Sequence, residues 1–143
     1  MIKKILVPLD GSKLSESVLT YVGALAKPLG AEVVLLRVVV FVDQDTGAIP
    51  AEYAPSAQVL DEMKRYLERQ AADLRRIGLA VTTHAVGGHV ADTIIDYASE
   101  IHADMIAMST HGRTGPARWL IGSVADKVVH GAQMPVFLVR PTR

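Results

Sequence analysis

The segment Ser109-Thr110-His111-Gly112-Arg113-Thr114-Gly115, followed at a distance by Gly122-Ser123, carries the residue types that can hold an anion. It lies between a short apolar run, Asp104–Met108, and a helical pattern that starts near Ser123 and stops at Gly131. That order predicts a strand, a glycine-punctuated loop and a helix start. Glycine lets the backbone approach a ligand and turn its N–H groups inward. A helix start adds unpaired N–H donors and a dipole that favours negative charge. The chemistry expected is phosphate binding, and through it nucleotide binding. His111 and Arg113 stand in the same loop, although a loop histidine is more often structural. The competing reading is a tight strand-to-helix connection that holds no ligand.

A second loop, Pro8-Leu9-Asp10-Gly11-Ser12, follows the first apolar run. Asp10 can accept hydrogen bonds from an adenine amine or a ribose hydroxyl, or face a Mg2+ ion. Asp-Gly-Ser is also an ordinary turn and helix-start signal, so a purely local role stands beside the functional one. Ser123 can give its N–H and hydroxyl to a phosphate, or cap a helix with Asp126 three residues on. Other constellations are missing. There is no Gly-x-x-x-x-Gly-Lys-[Ser/Thr], no Gly-x-Gly-x-x-Gly and no Gly-x-Ser-x-Gly. His84, His89, His102 and His130 show no metal-ligand spacing, and His102 and His130 read as surface residues near helix ends. Trp119, Leu120 and Ile121 read as packing under the glycine loop.

Two loops can share a ligand only if the elements around them bring them together. Five apolar runs read as strands: Lys4–Leu9, Glu32–Val40, Ala80–Ala85, Asp104–Met108 and Val136–Arg140. Helical patterns alternate with them, at about Lys13–Lys27, Ala57–Ile77, Val90–Glu100 and from Ser123 to Gly131. Pro28 and Gly30 are expected to end the first. Leu60, Met63, Leu67, Leu74 and Ile77 form the apolar side of the second. The alternation implies an α/β fold, a single open and mostly parallel five-stranded sheet with helices on both faces. Val33–Leu36 and Val136–Val139 are apolar at consecutive positions, as in strands covered on both faces. In such a sheet, ligands sit beyond the carboxyl ends of the strands where chain order reverses, between strands one and four. Phe41–Ser56, with two prolines and a glycine, reads as an irregular loop or flap.

The 143 residues fit one domain, and half of them are hydrophobic but only 5% aromatic. Net charge is zero, which gives no electrostatic case for binding long nucleic acid. From Ser109 onward, however, five Lys or Arg face one acid, Asp126. There is no cysteine, which excludes disulfides and thiolate chemistry. The N-terminal apolar run is too short for a signal peptide, and Val33–Val42 is too short for a membrane span. A cytoplasmic protein without membrane contact is expected.

These segments resemble the universal stress protein family over essentially the whole length, and within it the ATP-binding subgroup. Ile5-Leu6-Val7-Pro8-Leu9-Asp10-Gly11-Ser12 is similar to the family's first strand and loop. Leu35–Val39, Ala103–Met108 and Met134–Val139 are similar to its second, fourth and fifth strands. ATP-binding members carry Gly-x2-Gly-x9-Gly-[Ser/Thr]. Gly112, nine intervening residues and Gly122-Ser123 match the last two elements, while Ser109 replaces the first glycine. The resemblance implies a sheet order of 3-2-1-4-5 and one domain over 1–143. It implies that Pro8 and Asp10, with Leu9 between them, line the adenosine side. Val38 brings backbone groups to the adenine, and Met108 and Ser109 border the ribose. Gly112, Gly122, Ser123 and Val124 would contact the phosphates, with His111 and Arg113 beside them. It also implies a homodimer through Val136–Arg140, whose bare apolar edge would otherwise invite association. Three functions follow as alternatives: an ATP-dependent stress-response module, a slow ATP hydrolase or nucleotidyl-transfer enzyme on the same site, and a nucleotide-free dimeric interaction protein. Turnover is expected to be negligible, because no side chain is an evident base.

Overall fold

The computed structural model describes residues 1–40, 54–111 and 121–141. Five strands, β1 (Lys4–Pro8), β2 (Glu32–Val39), β3 (Val81–Gly87), β4 (Met105–Ser109) and β5 (Val136–Val139), form one sheet. Its order is β3-β2-β1-β4-β5, and every neighbouring pair is parallel. The helices are α1 (Lys13–Glu16), α2 (Val18–Leu29), α3 (Ala57–Arg76), α4 (Val90–Glu100) and α5 (Ser123–Gly131).

Alternation along the strands divides the core in two. Ile5, Val7, Val33, Leu35, Met105 and Ala107 face one way and pack with Val18 and Val22 of α2 and Leu67, Ala71 and Leu74 of α3. Leu6, Val34, Leu36, Ile106 and Met108 face the other way and pack with Ile94 and Ala98 of α4 and Val128 of α5. Val33–Leu36 are all buried, as consecutive apolar residues in a doubly covered strand should be. β5 departs from that expectation. Val136, Phe137 and Leu138 are only partly buried, because β5 ends the sheet and has one neighbour among the described residues.

Most element boundaries differ from expectation by one or two residues. The first helix is the larger departure. It breaks at Ser17, and α2 then runs through Pro28 to Gly30, whose φ of +62° is the left-handed helix stop. Pro28 is tolerated because the donor it lacks would have bonded Ala24, on the solvent side of the last turns. Ile77 follows α3 as its cap and is 43% exposed instead of joining Leu67 and Leu74 inside. Ser56 caps α3 by accepting the Val59 N–H at 3.2 Å. The remainder of the expected flap, 41–53, lies outside the described residues. His102 and His130 are exposed near helix ends, as expected.

The start of the sheet is fixed by a carboxylate. Asp104 Oδ2 accepts the N–H groups of Lys3 at 2.9 Å and Lys4 at 3.0 Å, joining β1 to the entrance of β4. Those two bonds hold the Asp104 pKa below its ordinary value, against a smaller opposing effect of burial. A carboxyl depressed by folding contributes stability that is full above the ordinary carboxylate range and is lost as pH falls through the folded value. Asp104→Ala is therefore expected to lower the melting temperature at pH 7. The gap from the parent chain should close at pH values acid enough to protonate Asp104 in the fold, which thermal melts across pH 2–7 would show.

Candidate functional site

The carboxyl ends of β1 and β4 part at the centre of the sheet. β1 pairs with β4 only at Ile5–Met105 and Leu6–Ile106, whereas it stays paired with β2 as far as Pro8–Leu36. The Leu9 N–H then donates to the Leu36 carbonyl at 2.8 Å. Successive strand residues direct their N–H groups to opposite sides, so the donor Pro8 lacks falls on the β4 side. A proline there helps end the pairing and open a crevice between the two loops.

One wall of the crevice is a closed turn. Asp10 Oδ1 accepts the N–H of Ser12 at 2.9 Å and its hydroxyl at 2.5 Å. Ser12 caps α1 by accepting the Ser15 N–H at 3.1 Å, and Ser15 Oγ accepts the Asp10 N–H at 3.2 Å. Asp10 therefore has the local turn role as well as its position at the crevice. Leu9 contributes backbone only, since its side chain is buried in the α2/α3 core. Gly11 adopts a φ of +86°, and a Cβ there would stand 2.6 Å from an Arg37 guanidinium nitrogen. Arg37 in turn lies 5.9 Å over the Tyr66 ring, and the Tyr66 hydroxyl donates to Glu16 at 2.8 Å. Burial, and after it the bond to Glu16, pushes the Tyr66 pKa up, so this brace stays protonated and intact at neutral pH. Gly11→Ala should cost about 1–2 kcal/mol from its left-handed backbone alone. Urea unfolding would show the loss as a lower midpoint.

The other wall combines the end of β4 with the start of α5. Ser109 and Thr110 are buried, and Met108 and Val38 lie in the α4/α5 core. The Ser109 hydroxyl donates to the His111 carbonyl and accepts the His111 N–H at 3.2 Å. Serine thus closes the turn on itself where the motif has glycine. It does so without backbone strain, because His102 is the one non-glycine with positive φ among the described residues. His111 Nδ1 meets the Thr110 hydroxyl at 3.0 Å, while Nε2 is buried without a hydrogen-bond partner among the described residues.

Two expectations need correcting here. Gly122, not Ser123, is the N-cap of α5, and the Asp126 carboxylate lies 3.5 Å from His130 Nδ1, which meets the Asp126 carbonyl at 2.7 Å, instead of closing a cap with Ser123. Moreover, the Gly122 N–H donates to the Thr110 carbonyl at 2.7 Å, which engages the donor that this glycine was expected to offer. The physical reason is close packing: a Cβ on Gly122 would lie 2.8 Å from that same carbonyl oxygen. Glycine is required there to seat α5 on β4. Among the described residues, the donors left without a partner are one step on, at Ser123 and Val124 in the first turn of α5, where no side chain caps the helix. Gly112 and Arg113 lie outside the described residues, as do Trp119 and Leu120; Ile121 is 43% exposed.

A feature not expected from the sequence adjoins this wall. The start of α4, with His89, Val90 and Asp92, faces Ser123, Val124 and Lys127 of α5 across a cavity of about 170 Å³, with Val40 at the end of β2 beside it. Gly87-Gly88 ahead of α4 was the available signal, since it turns β3 into the helix with a φ of +154° at Gly88. Among the described residues no group of acidic or imidazole side chains is arranged to hold a metal ion, and no helix is long and apolar enough to cross a membrane.

The chain matches the family profile of universal stress proteins over residues 1–140. It is 34% identical over 141 residues to universal stress protein MJ0531 of Methanocaldococcus jannaschii, covering 96% of this chain and 82% of that protein. Against universal stress protein YxiE of Bacillus subtilis it is 30% identical over 151 residues, covering 98% and 100%. The solved structure of MJ0577, another M. jannaschii universal stress protein, superposes with a TM-score of 0.80 at 26% identity, covering 100% of this chain and 99% of that one. The fold is shared with a universal stress protein in complex with cAMP and with one from Archaeoglobus fulgidus in complex with dAMP, at TM-scores of 0.70 and identities of 19% and 20%. With an all-parallel 3-2-1-4-5 sheet and a family match over nearly its full length, the chain belongs to the universal stress protein family.

Proposed function

We propose that this chain binds an adenine nucleotide, ATP foremost, in the crevice between β1 and β4 and acts as a nucleotide-dependent stress-response module. The observation that carries the reading is the start of α5, which no side chain caps among the described residues and which Gly122 ties to the end of β4, beyond the point where β4 parts from β1 and the Asp10 turn follows. Such a helix start favours phosphate oxygens through its N–H groups and its dipole. Ser123 and Val124 hold the phosphates, with Gly112, Arg113 and His111 completing the loop. Pro8, Asp10 and the backbone at Val38 receive the adenosine, and Met108 and Ser109 border the ribose. Asp10 also offers a carboxylate to Mg2+ accompanying the phosphates. The cAMP and dAMP complexes of proteins with this fold support an adenine ligand. Binding rather than turnover is the output, since none of the described site residues is an evident base for water or an acceptor.

Two copies pair through β5, whose outer edge has no neighbour among the described residues. Sedimentation velocity should give twice the 15.4 kDa chain mass. Equilibrium dialysis with ATP and Mg2+ tests the ligand: saturable binding below millimolar ATP is expected, and none at millimolar ATP overturns the reading. An ATPase assay separates the module from an enzyme, because turnover abolished by Asp10→Ala would favour catalysis instead.

A further inference from the structure

We propose that Lys127 makes the site discriminate nucleotides by the length of their phosphate chain. The inference rests on the nucleotide reading above and gives it a substrate preference, for triphosphate over monophosphate.

Ser123 and Lys127 are four residues apart on α5, so they share one face of the helix. At 1.5 Å rise per residue, that separation is about 6 Å along the axis. Both line the same cavity, whose opposite wall is His89, Val90 and Asp92 at the start of α4. The Lys127 ammonium makes no ion pair among the described residues, although acids stand on both sides of it. Asp126 is turned to His130, and Asp92 lies across the cavity without closing on the lysine. Lys127 thus lines the cavity without an ion pair among the described residues, one helical turn from the donors assigned to phosphate.

In this proposal a single phosphate on the Ser123 and Val124 amides leaves the Lys127 ammonium to solvent. A longer chain running along this face of α5 reaches the ammonium and makes a charge-assisted hydrogen bond. His89 adds a ring donor from the α4 side. Asp92 opposes the added negative charge and keeps the gain modest. The cavity volume is below the roughly 300–1,000 Å³ of whole small-molecule pockets, so it suits a phosphate tail with the nucleoside lying outside it. Lys127 is exposed and solvated, which limits its discrimination to about three- to tenfold, within the range of single charged contacts at a wet site.

Calorimetric titration of ATP, ADP and AMP into the parent chain, Lys127→Met and Lys127→Arg at one ionic strength tests this. The parent chain should bind ATP more tightly than ADP and ADP more tightly than AMP. Lys127→Met should narrow the ATP-to-AMP affinity ratio about three- to tenfold, and Lys127→Arg should restore it. An unchanged ratio in Lys127→Met, or an equal weakening of ATP and AMP, overturns the inference while leaving the nucleotide reading intact. A parent chain that binds none of the three at millimolar concentration overturns that reading and this inference with it.

Discussion

Gly122→Val is expected to reduce ATP affinity at least tenfold and to destabilise the fold by about 1–3 kcal/mol, the range of an overpacked contact. The backbone at Gly122 has φ −58° and ψ 156°, which any residue adopts, so the effect is steric. A Cβ would come within 2.8 Å of the Thr110 carbonyl oxygen, a backbone atom held by the sheet. Thr110 cannot retreat freely, because its own N–H is bonded to the Val139 carbonyl at 2.8 Å. The start of α5 must therefore lift, breaking the Gly122–Thr110 bond and carrying Ser123 and Val124 away from the crevice. Gly122→Ala should show the same effect in smaller measure. Dialysis and urea unfolding on the same samples separate the two consequences, since the loss of affinity should exceed what a shift in folded fraction produces.

Ile106→Ala should cost about 2–5 kcal/mol, the usual penalty for emptying a fully buried aliphatic site. Ile106 is completely inaccessible and lies in the core between the sheet and α4 and α5. It pairs with Leu6 of β1 and Val136 of β5, so it sits where the central and outer halves of the sheet join. The cavity cannot collapse by moving one strand, because β4 is bonded on both sides. A melting transition displaced by less than a conservative Ile106→Val substitution would show that the core closes around the deletion.

Much of the architecture was legible because buried parallel strands and covering helices leave strong period signals. Val33–Leu36 announced a doubly covered strand, and Leu67 and Leu74 the inner side of α3. What was not legible depended on contacts between segments far apart in sequence. Nothing local distinguishes Val136–Leu138 from Val33–Leu36, yet an edge position leaves the former half open. Ser123 followed by Asp126 reads as a cap, but packing against Thr110 selects glycine at the position before it. The same packing engages the Gly122 amide with the Thr110 carbonyl. Arg37 belongs to no motif, and only the folded chain sets its guanidinium against Gly11 and over the Tyr66 ring. The α4 side of the cavity escaped notice because His89, Asp92 and Lys127 belong to no shared motif and meet only when α4 and α5 are laid side by side.

Amide NMR titration with ATP and Mg2+ tests nucleotide binding at this crevice most directly, since it reads the donors themselves. Saturable shifts concentrated at Ser123, Val124 and the Asp10–Ser12 turn are expected, with the Gly122 amide retaining its bond to Thr110. Amides of α5 that stay unmoved at millimolar ATP, or shifts confined to a surface away from β1 and β4, would contradict it.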